Sequence, residues 1–226
     1  MNHAQSQLAL DFGLRQALGR DDFLVTPCNG EVVAWLDRWP HWPGRGLIVH
    51  GPAGCGKTHL AHVFQARSGA QIVHASDVTG SGTRTRFADL VVEDVDSGAD
   101  SRALLHIYNT AVERGGSLLM TSRNPPRSWE VGLPDLRSRI NAVGSVAVGL
   151  PDDALLAAVL VKLLSDRQLR VRHEVVTYLV RHMERSFRAA RDIVTALDEG
   201  SLADRREITI PLARRILAHH QDMEGG

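Results

Sequence analysis

The sequence predicts an α/β protein in which a parallel sheet flanked by helices is followed by a small all-helical domain. Two observations lead to this prediction. Up to about residue 150, short apolar runs alternate with segments of helical spacing, which is typical of a parallel sheet with crossover helices. Beyond Pro151 only helical spacing occurs. We therefore expect one domain over residues 21–150 and a second over residues 151–226, preceded by a terminal segment and linker over residues 1–20.

The individual elements follow from apolar runs of strand length and from apolar residues three or four positions apart. Such runs predict strands at residues 47–50, 71–74, 89–95, 117–122 and 146–148. Helical spacing in the first domain predicts helices at residues 31–38, 58–67, 101–114 and 134–141. In the second domain it predicts helices at residues 152–167, 173–184, 187–199 and 211–220. Since ligands bind at the carboxyl ends of parallel strands, we expect functional residues where these strands end.

The residues that follow the first of these strands form a phosphate-binding motif. They match the pattern G-x-x-x-x-G-K-[ST] at every specified position: Gly51, Pro52, Ala53, Gly54, Cys55, Gly56, Lys57 and Thr58. Backbone N–H groups of such a loop and the positive end of the following helix hold phosphates, and the glycines supply unusual backbone angles. Lys57 reaches the phosphates in this pattern, and the Thr58 hydroxyl can ligate Mg²⁺. The motif therefore predicts a nucleotide site.

Polar residues end two further strands of the predicted sheet. Glu93 and Asp94 follow four apolar residues, and we expect them to hold a metal and its water rather than to cap the strand in solvent. Residues 121–124 end the next strand, where they either orient the attacking water or contact the terminal phosphate, or only form the turn that Pro125 and Pro126 indicate. Arg139 and Arg188 lie on predicted helices, where spacing alone assigns an arginine no special role.

Composition restricts the classes of function. Lys plus Arg equal Asp plus Glu, at 26 each, which does not favour a nucleic-acid-binding domain. No apolar run approaches the ~20 residues that span a bilayer. Cys28 and Cys55 show no paired spacing and no secretory signal is visible, so we expect a reducing, cytoplasmic setting. His59 and His62 share a helix face without a Cys or carboxylate partner and are interpreted as surface residues.

The terminal segment contains a short apolar stretch among polar residues. Physical reasoning leaves two interpretations open: a loose tail or packed strand, or a docking peptide whose apolar anchors fill a pocket on another protein. The anchors of such a peptide would be Gln7, Leu8, Leu10 and Phe12.

Taken in order, these residues resemble the AAA+ ATPases of the bacterial replication-initiator (DnaA) branch. Within it they are most similar to the Hda regulators, including the alphaproteobacterial type, which lack the initiator's DNA-binding domain. The resemblance covers most of the chain. It rests on residues 23–25 with Asn29, 51–58, 89–94, Thr121 and Ser122 with Pro126, 133–136 with Ser138 and Arg139, Arg188, and 208–210.

The resemblance implies an AAA+ P-loop fold with a lid domain, binding ADP or ATP with Mg²⁺, and it implies a role for each candidate residue. Phe23, Leu24 and Val25 would line the adenine site, and residues 51–58 with His59 would form the Walker A region. Glu93 and Asp94 would be the Walker B acids, with Thr58 and Glu93 holding Mg²⁺ through the nucleotide. Arg188 would be sensor 2, and Arg139 the arginine finger that acts on a neighbouring subunit's nucleotide.

The resemblance also implies partners. Gln7, Leu8, Leu10 and Phe12 are similar to the peptide that docks into the DNA polymerase sliding clamp (β subunit), and Arg139 would promote ATP hydrolysis on the initiator DnaA, inactivating it. No helix-turn-helix pattern follows residue 220, so we expect no direct sequence-specific DNA binding. We expect no membrane partner, and a homodimer or higher assembly is possible.

Two residues depart from the family pattern. Glu93 stands where Asp is usual, and Arg123 replaces an acidic residue near the tip of the fourth strand. We therefore expect weak or absent intrinsic hydrolysis. Two alternatives are a self-contained AAA+ motor or loader and a non-catalytic, ADP-bound clamp adaptor.

Overall fold

The computed structural model describes residues 15–16, 24–79, 87–204 and 208–224, with side chains within 25–79, 87–200 and 208–219. The candidate docking residues Gln7, Leu8, Leu10 and Phe12 lie outside the described residues, as does Phe23. The first described pairing is antiparallel and joins β1 (Arg15–Gln16) to β2 (Leu24–Val25).

A parallel sheet forms the centre of the first domain. Its strands are β3 (Gly46–His50), β4 (Gln71–His74), β5 (Leu90–Glu93), β6 (Leu118–Ser122) and β7 (Gly144–Ala147). They lie in the order β4-β5-β6-β3-β7, and all four neighbouring pairs are parallel. Because β3 lies inside the sheet, the loop that follows it emerges between the ends of β6 and β7.

Helices cover both faces of this sheet because alternate strand residues point in opposite directions. Leu47 and Val49 of β3 pack with α1 (Gly30–Asp37) and α2 (Lys57–Ser68). Ile48 packs on the other face with α3 (Ser101–Glu113) and α4 (Pro134–Ala142). The two apolar cores hold the sheet between the helices, and the phosphate loop lies at the carboxyl edge of this sheet.

The second domain, which we call the lid, contains four helices within its described residues, 151–204 and 208–224. They are α5 (Asp153–Asp166), α6 (His173–His182), α7 (Phe187–Asp204) and α8 (Ile210–Glu224). Leu156, Leu160, Leu179 and Leu197 are fully buried in one shared core. The Asp152 carboxylate starts α5 by accepting a hydrogen bond from the Leu155 N–H at 2.8 Å. The predicted α/β fold with a helical lid is confirmed.

The observed strands differ from the predicted ones in one informative place. The sequence predicts a strand over residues 89–95, but β5 ends at Glu93. Asp94 has a φ of +54°, a left-handed conformation that cannot continue a strand. Within the described residues, no helix is long and apolar enough to cross a membrane.

Candidate nucleotide site

The phosphate loop joins β3 to α2 in a conformation that depends on its glycines. Gly54 and Gly56 have φ values of +75° and +99°, which L side chains rarely adopt. A Cβ at Gly51 would lie 2.3 Å from the Val148 carbonyl oxygen, and one at Gly56 would lie 2.8 Å from the Phe187 ring. Gly51 and Gly56 therefore have no room for a side chain, Gly51 because of the segment after β7 and Gly56 because of the lid.

Lys57 places a buried positive charge against this loop. Lys57 is the first residue of α2, and it is only 8% exposed. The ammonium donates to the carbonyl oxygens of Gly51 at 2.8 Å and Pro52 at 2.9 Å. Because a buried ammonium is stable only when hydrogen-bonded, these contacts hold the charge at the loop. Thr58 follows at the exposed start of α2.

A pocket of about 50 Å³ lies beside the loop, between the sheet domain and the lid. Its walls come from four places in the chain. They are the turn before α1 (Cys28, Asn29), the loop and α2 (Cys55, Gly56, His59, Leu60), the segment after β7 (Val148, Gly149) and the lid (Leu155, Val159, Phe187). The lid is fastened to the loop here, since the Phe187 N–H donates to the Gly54 carbonyl oxygen at 3.1 Å. A flat, largely apolar group such as a nucleobase suits these walls.

Of the residues expected to line an adenine site, the structure describes Leu24 and Val25, which precede two residues of the pocket wall in the chain. Leu24 belongs to β2, and the half-buried Val25 packs against the core beneath α1 and α2. Cys28 and Asn29, slightly later in the chain, face the pocket itself. The Asn29 carboxamide oxygen accepts the Thr26 N–H at 2.8 Å and fixes this turn. Cys28 carried no signal in the sequence, and Asn29 appeared only as part of the family pattern.

The two strand-end acids differ in their surroundings. Glu93 is the last residue of β5 and is half-buried. The Asp94 N–H donates to the Thr121 hydroxyl at 3.0 Å, while the Asp94 carboxylate lies 3.4 Å from the His74 imidazole. His74 ends β4, the strand on the opposite side of β5 from β6 and β3. The Asp94 carboxylate is therefore paired on the side of β5 away from the phosphate loop.

The tip of β6 is a tightly bonded turn directly beside the loop. The Gly51 N–H donates to the Ser122 carbonyl oxygen at 3.1 Å. The Asp96 carboxylate accepts the backbone N–H groups of Arg123 and Asn124, at 3.1 and 2.9 Å, and the Asn124 side chain at 3.1 Å. Residues 121–124 thus form a turn at the carboxyl edge of the sheet, while the Arg123 side chain is exposed.

The two candidate arginines lie on the surface. Arg139 is near the end of α4, with its guanidinium 5.8 Å from the centre of the Tyr108 ring. The Tyr108 hydroxyl donates to the Gly44 carbonyl oxygen at 2.5 Å; burial raises its pKa, and the charge of Arg139 opposes that shift. Arg188, in the first turn of α7, lies 3.5 Å from the Asp192 carboxylate with its side chain 74% exposed.

Sequence reasoning missed an electrostatic interaction of His50, the residue that precedes the loop, with Arg127. His50 ends β3 immediately before Gly51. Burial, and next the positive charge of Arg127, lower the pKa of His50. The imidazole is therefore held in its neutral form close to the loop. Nothing in the sequence indicated this, because Arg127 is 77 positions away along the chain, counting from residue 50 to residue 127.

The oxygen donors of Thr58 and Glu93 are of the kind that suits a Mg²⁺ ion held mainly by phosphate. Mg²⁺ prefers oxygen ligands and commonly takes only one or two from the protein. The exposed Thr58 and the strand-end Glu93 both carry oxygen ligands. In the part of the chain that the structure describes, no group of three or more His, Cys, Asp or Glu residues could hold a metal by itself.

This sheet order, with a phosphate loop after an inner strand and a helical lid, is the arrangement of the AAA+ fold. The helical domain gives a more specific similarity, since residues 153–217 match the family model described as "Hda, lid domain". The fold is also similar to domain III of the replication initiation protein DnaA from Thermotoga maritima, with a TM-score of 0.72 and 20% identity. That match covers 91% of this chain and 98% of the other.

Two further structures show the same fold. DnaA from Aquifex aeolicus, bound to AMPPCP, matches with a TM-score of 0.66 and 18% identity over 88% of this chain and 68% of that one. The RuvB Holliday junction branch migration motor of Thermotoga maritima matches with a TM-score of 0.58 and 15% identity, over 76% and 61%. This chain thus spans about two thirds of the Aquifex DnaA chain. It combines a DnaA-like AAA+ fold with an Hda-like lid.

Proposed function

We propose that this protein is a nucleotide-bound AAA+ regulator of replication initiation. It holds ADP at the phosphate loop with Mg²⁺, is tethered to the sliding clamp through residues 7–12, and promotes hydrolysis of the ATP bound to DnaA through Arg139. The observation that carries this proposal is the joint occurrence of a complete phosphate loop and a lid that matches the Hda family model.

Stable nucleotide binding is supported by the way the two domains meet. The pocket takes walls from both of them, and the lid contacts the loop through the Phe187 N–H and the Gly54 carbonyl. A nucleotide bound there would touch the sheet domain and the lid together. It would therefore fix the angle between them, and so the shape that the subunit presents to a partner.

Weak intrinsic hydrolysis is supported by the side-chain contacts of two residues. The Asp94 carboxylate pairs with His74 on the far side of β5 from the loop. The Arg188 guanidinium pairs with Asp192 one turn further along α7. Both groups would have to leave these partners before they could act on a phosphate. We infer that the loop serves mainly to hold a nucleotide.

The exposure of Arg139 supports an action on a partner. The Arg139 side chain is exposed, and its guanidinium lies near the Tyr108 ring. An arginine supplied in this way stabilises charge on a transferring phosphoryl group and accelerates hydrolysis by about 10³- to 10⁵-fold in other nucleotide hydrolases.

The decisive experiment measures ATP turnover by DnaA in the presence of clamp and DNA. We expect the native protein to stimulate turnover and Arg139→Ala to abolish the stimulation. Arg139→Lys should also fail, because an ammonium lacks the planar pair of donors that a guanidinium offers. Arg102→Ala removes an exposed arginine at the start of α3 and serves as the matched control. Equal stimulation by native protein and Arg139→Ala would refute the finger assignment.

The tether is tested separately by clamp pull-down. Leu10→Ala/Phe12→Ala and Gln7→Ala should each reduce clamp binding, since a few anchors carry most of the energy of a docked peptide. Gln5→Ala changes a glutamine outside the motif and should bind as the native protein does. Undiminished binding by the double variant would contradict the tether.

A self-contained ATPase is the second candidate, because residues 51–58 retain every specified residue of the phosphate motif. It predicts ATP turnover without clamp or initiator, and loss of that turnover in Lys57→Ala. The proposed regulator predicts little turnover under those conditions, and dependence of the stimulated reaction on Arg139.

A further inference from the structure

Both cysteines of the chain line the pocket between the phosphate loop and the lid. Cys28 lies in the turn before α1, and Cys55 lies within the loop. The sequence contains two cysteines. Every thiol of this protein therefore faces the space that the proposed function assigns to a nucleotide.

The two thiols differ in how readily they can react. Cys55 is only 3% exposed, and burial raises the pKa of its thiol, although the nearby charge of Lys57 opposes that shift. Since the thiolate is the reactive form, Cys55 is a poor nucleophile. Cys28 is partly exposed and is therefore the more accessible of the two cysteines.

The turn before α1 holds Cys28 at the pocket wall. Its sulfur lies 2.9 Å from the hydroxyl oxygen of the buried Thr26, which can donate a hydrogen bond to it. Asn29 fixes the same turn through the Thr26 N–H. If Gly149 carried a Cβ, that atom would lie 4.0 Å from the Cβ of Cys28. Cys28 is therefore close to the segment that follows β7.

We propose that Cys28 is a redox modification site whose oxidation closes the pocket to nucleotide. The oxidant is a peroxide. The Cys28 sulfur attacks the O–O bond, an S–O bond forms as the O–O bond breaks, and the leaving hydroxide takes the thiol proton, giving a sulfenic acid and water. In a pocket of about 50 Å³, the added oxygen occupies space and introduces a polar group beside the base. The inference rests on the proposed nucleotide site, because only an occupied pocket would cover Cys28.

The test treats the full chain with hydrogen peroxide, with and without saturating ADP, and locates the added oxygen by mass spectrometry. We expect it on Cys28, and we expect ADP to slow its appearance at least about fivefold. ADP affinity, measured by calorimetry before and after treatment, should fall at least about tenfold. A thiol reductant should restore it, because a sulfenic acid is reversible.

Two variants show which cysteine causes the loss of ADP affinity. For each variant, the affinity before peroxide treatment is compared with the affinity after it. Cys28→Ser should keep the same affinity through the treatment, while Cys55→Ser, which retains Cys28, should lose affinity as the native protein does. The reverse pattern, oxygen on Cys55, a disulfide between the two cysteines, or modification unaffected by ADP would overturn the proposal. Failure of the untreated protein to bind ADP would contradict the nucleotide site as well, which separates the two failures.

Discussion

The phosphate loop and the two candidate arginines present their positive charges in opposite ways. Lys57 is 8% exposed and donates to two loop carbonyls, so the fold itself sets the position of its ammonium. Arg139 and Arg188 are exposed, and they contact an aromatic ring and a neighbouring carboxylate. The folded chain thus fixes the Lys57 ammonium at the loop, whereas the proposed actions of Arg139 and Arg188 would each require a partner or a movement of the lid.

The largest effect is expected from removing the buried charge. Lys57→Ala should weaken ADP binding by about 10³-fold, because the phosphates would lose a desolvated, charge-assisted hydrogen bond. Lys162→Ala, which removes an exposed lysine paired with Asp166 on α5, is the matched control and should change the affinity less than twofold. Calorimetric titration with ADP checks both variants. If Lys57→Ala lowered the ADP affinity less than tenfold, the contrast between the buried lysine and the exposed arginines would be wrong.

The second prediction concerns the shape of the loop. Gly56→Ala introduces a Cβ 2.8 Å from the Phe187 ring, at a φ of +99°. Gly98→Ala meets nothing within 4 Å at a similar φ of +106°, so it isolates the backbone strain. We expect Gly56→Ala to lower the free energy of unfolding by about 2 kcal/mol more than Gly98→Ala, as overpacking does. Denaturant titrations measure both free energies of unfolding. Equal decreases in the two variants would show that the Phe187 ring does not restrict the space at Gly56.

Sequence reasoning located the loop well and the acids less completely, for a physical reason. The loop is local, since its glycines, Lys57 and Thr58 follow one another along the chain. The environment of Asp94 depends instead on contacts with His74 on a neighbouring strand and with Thr121 on another. The φ of Asp94 and the choice of its partner arise from tertiary packing, and the same holds for the effect of Arg127 on His50. Pairings of this kind leave no periodic pattern in the sequence.

A smaller effect is expected from freeing the strand-end acid. If pairing with His74 restrains Asp94, His74→Ala should raise intrinsic ATP turnover by about fivefold, equivalent to roughly 1 kcal/mol. The stability should change by less than about 1 kcal/mol, because both side chains are partly exposed. Single-turnover hydrolysis by the isolated protein is the measurement. An unchanged or lower rate would show that the His74 contact does not limit hydrolysis.

The smallest effect is expected at Arg188, and it bears most directly on the comparison with Lys57. In the isolated chain Arg188→Ala should change ADP affinity by less than about threefold, because this exposed guanidinium already has Asp192 as its partner. Asp192→Ala removes that partner and leaves Arg188 available to a phosphate, so it should tighten ADP binding slightly. Calorimetry on the two variants distinguishes the cases. If Arg188→Ala lost as much affinity as Lys57→Ala, the lid arginine would belong to the built-in binding site, and the contrast between buried and exposed cations would not describe this protein.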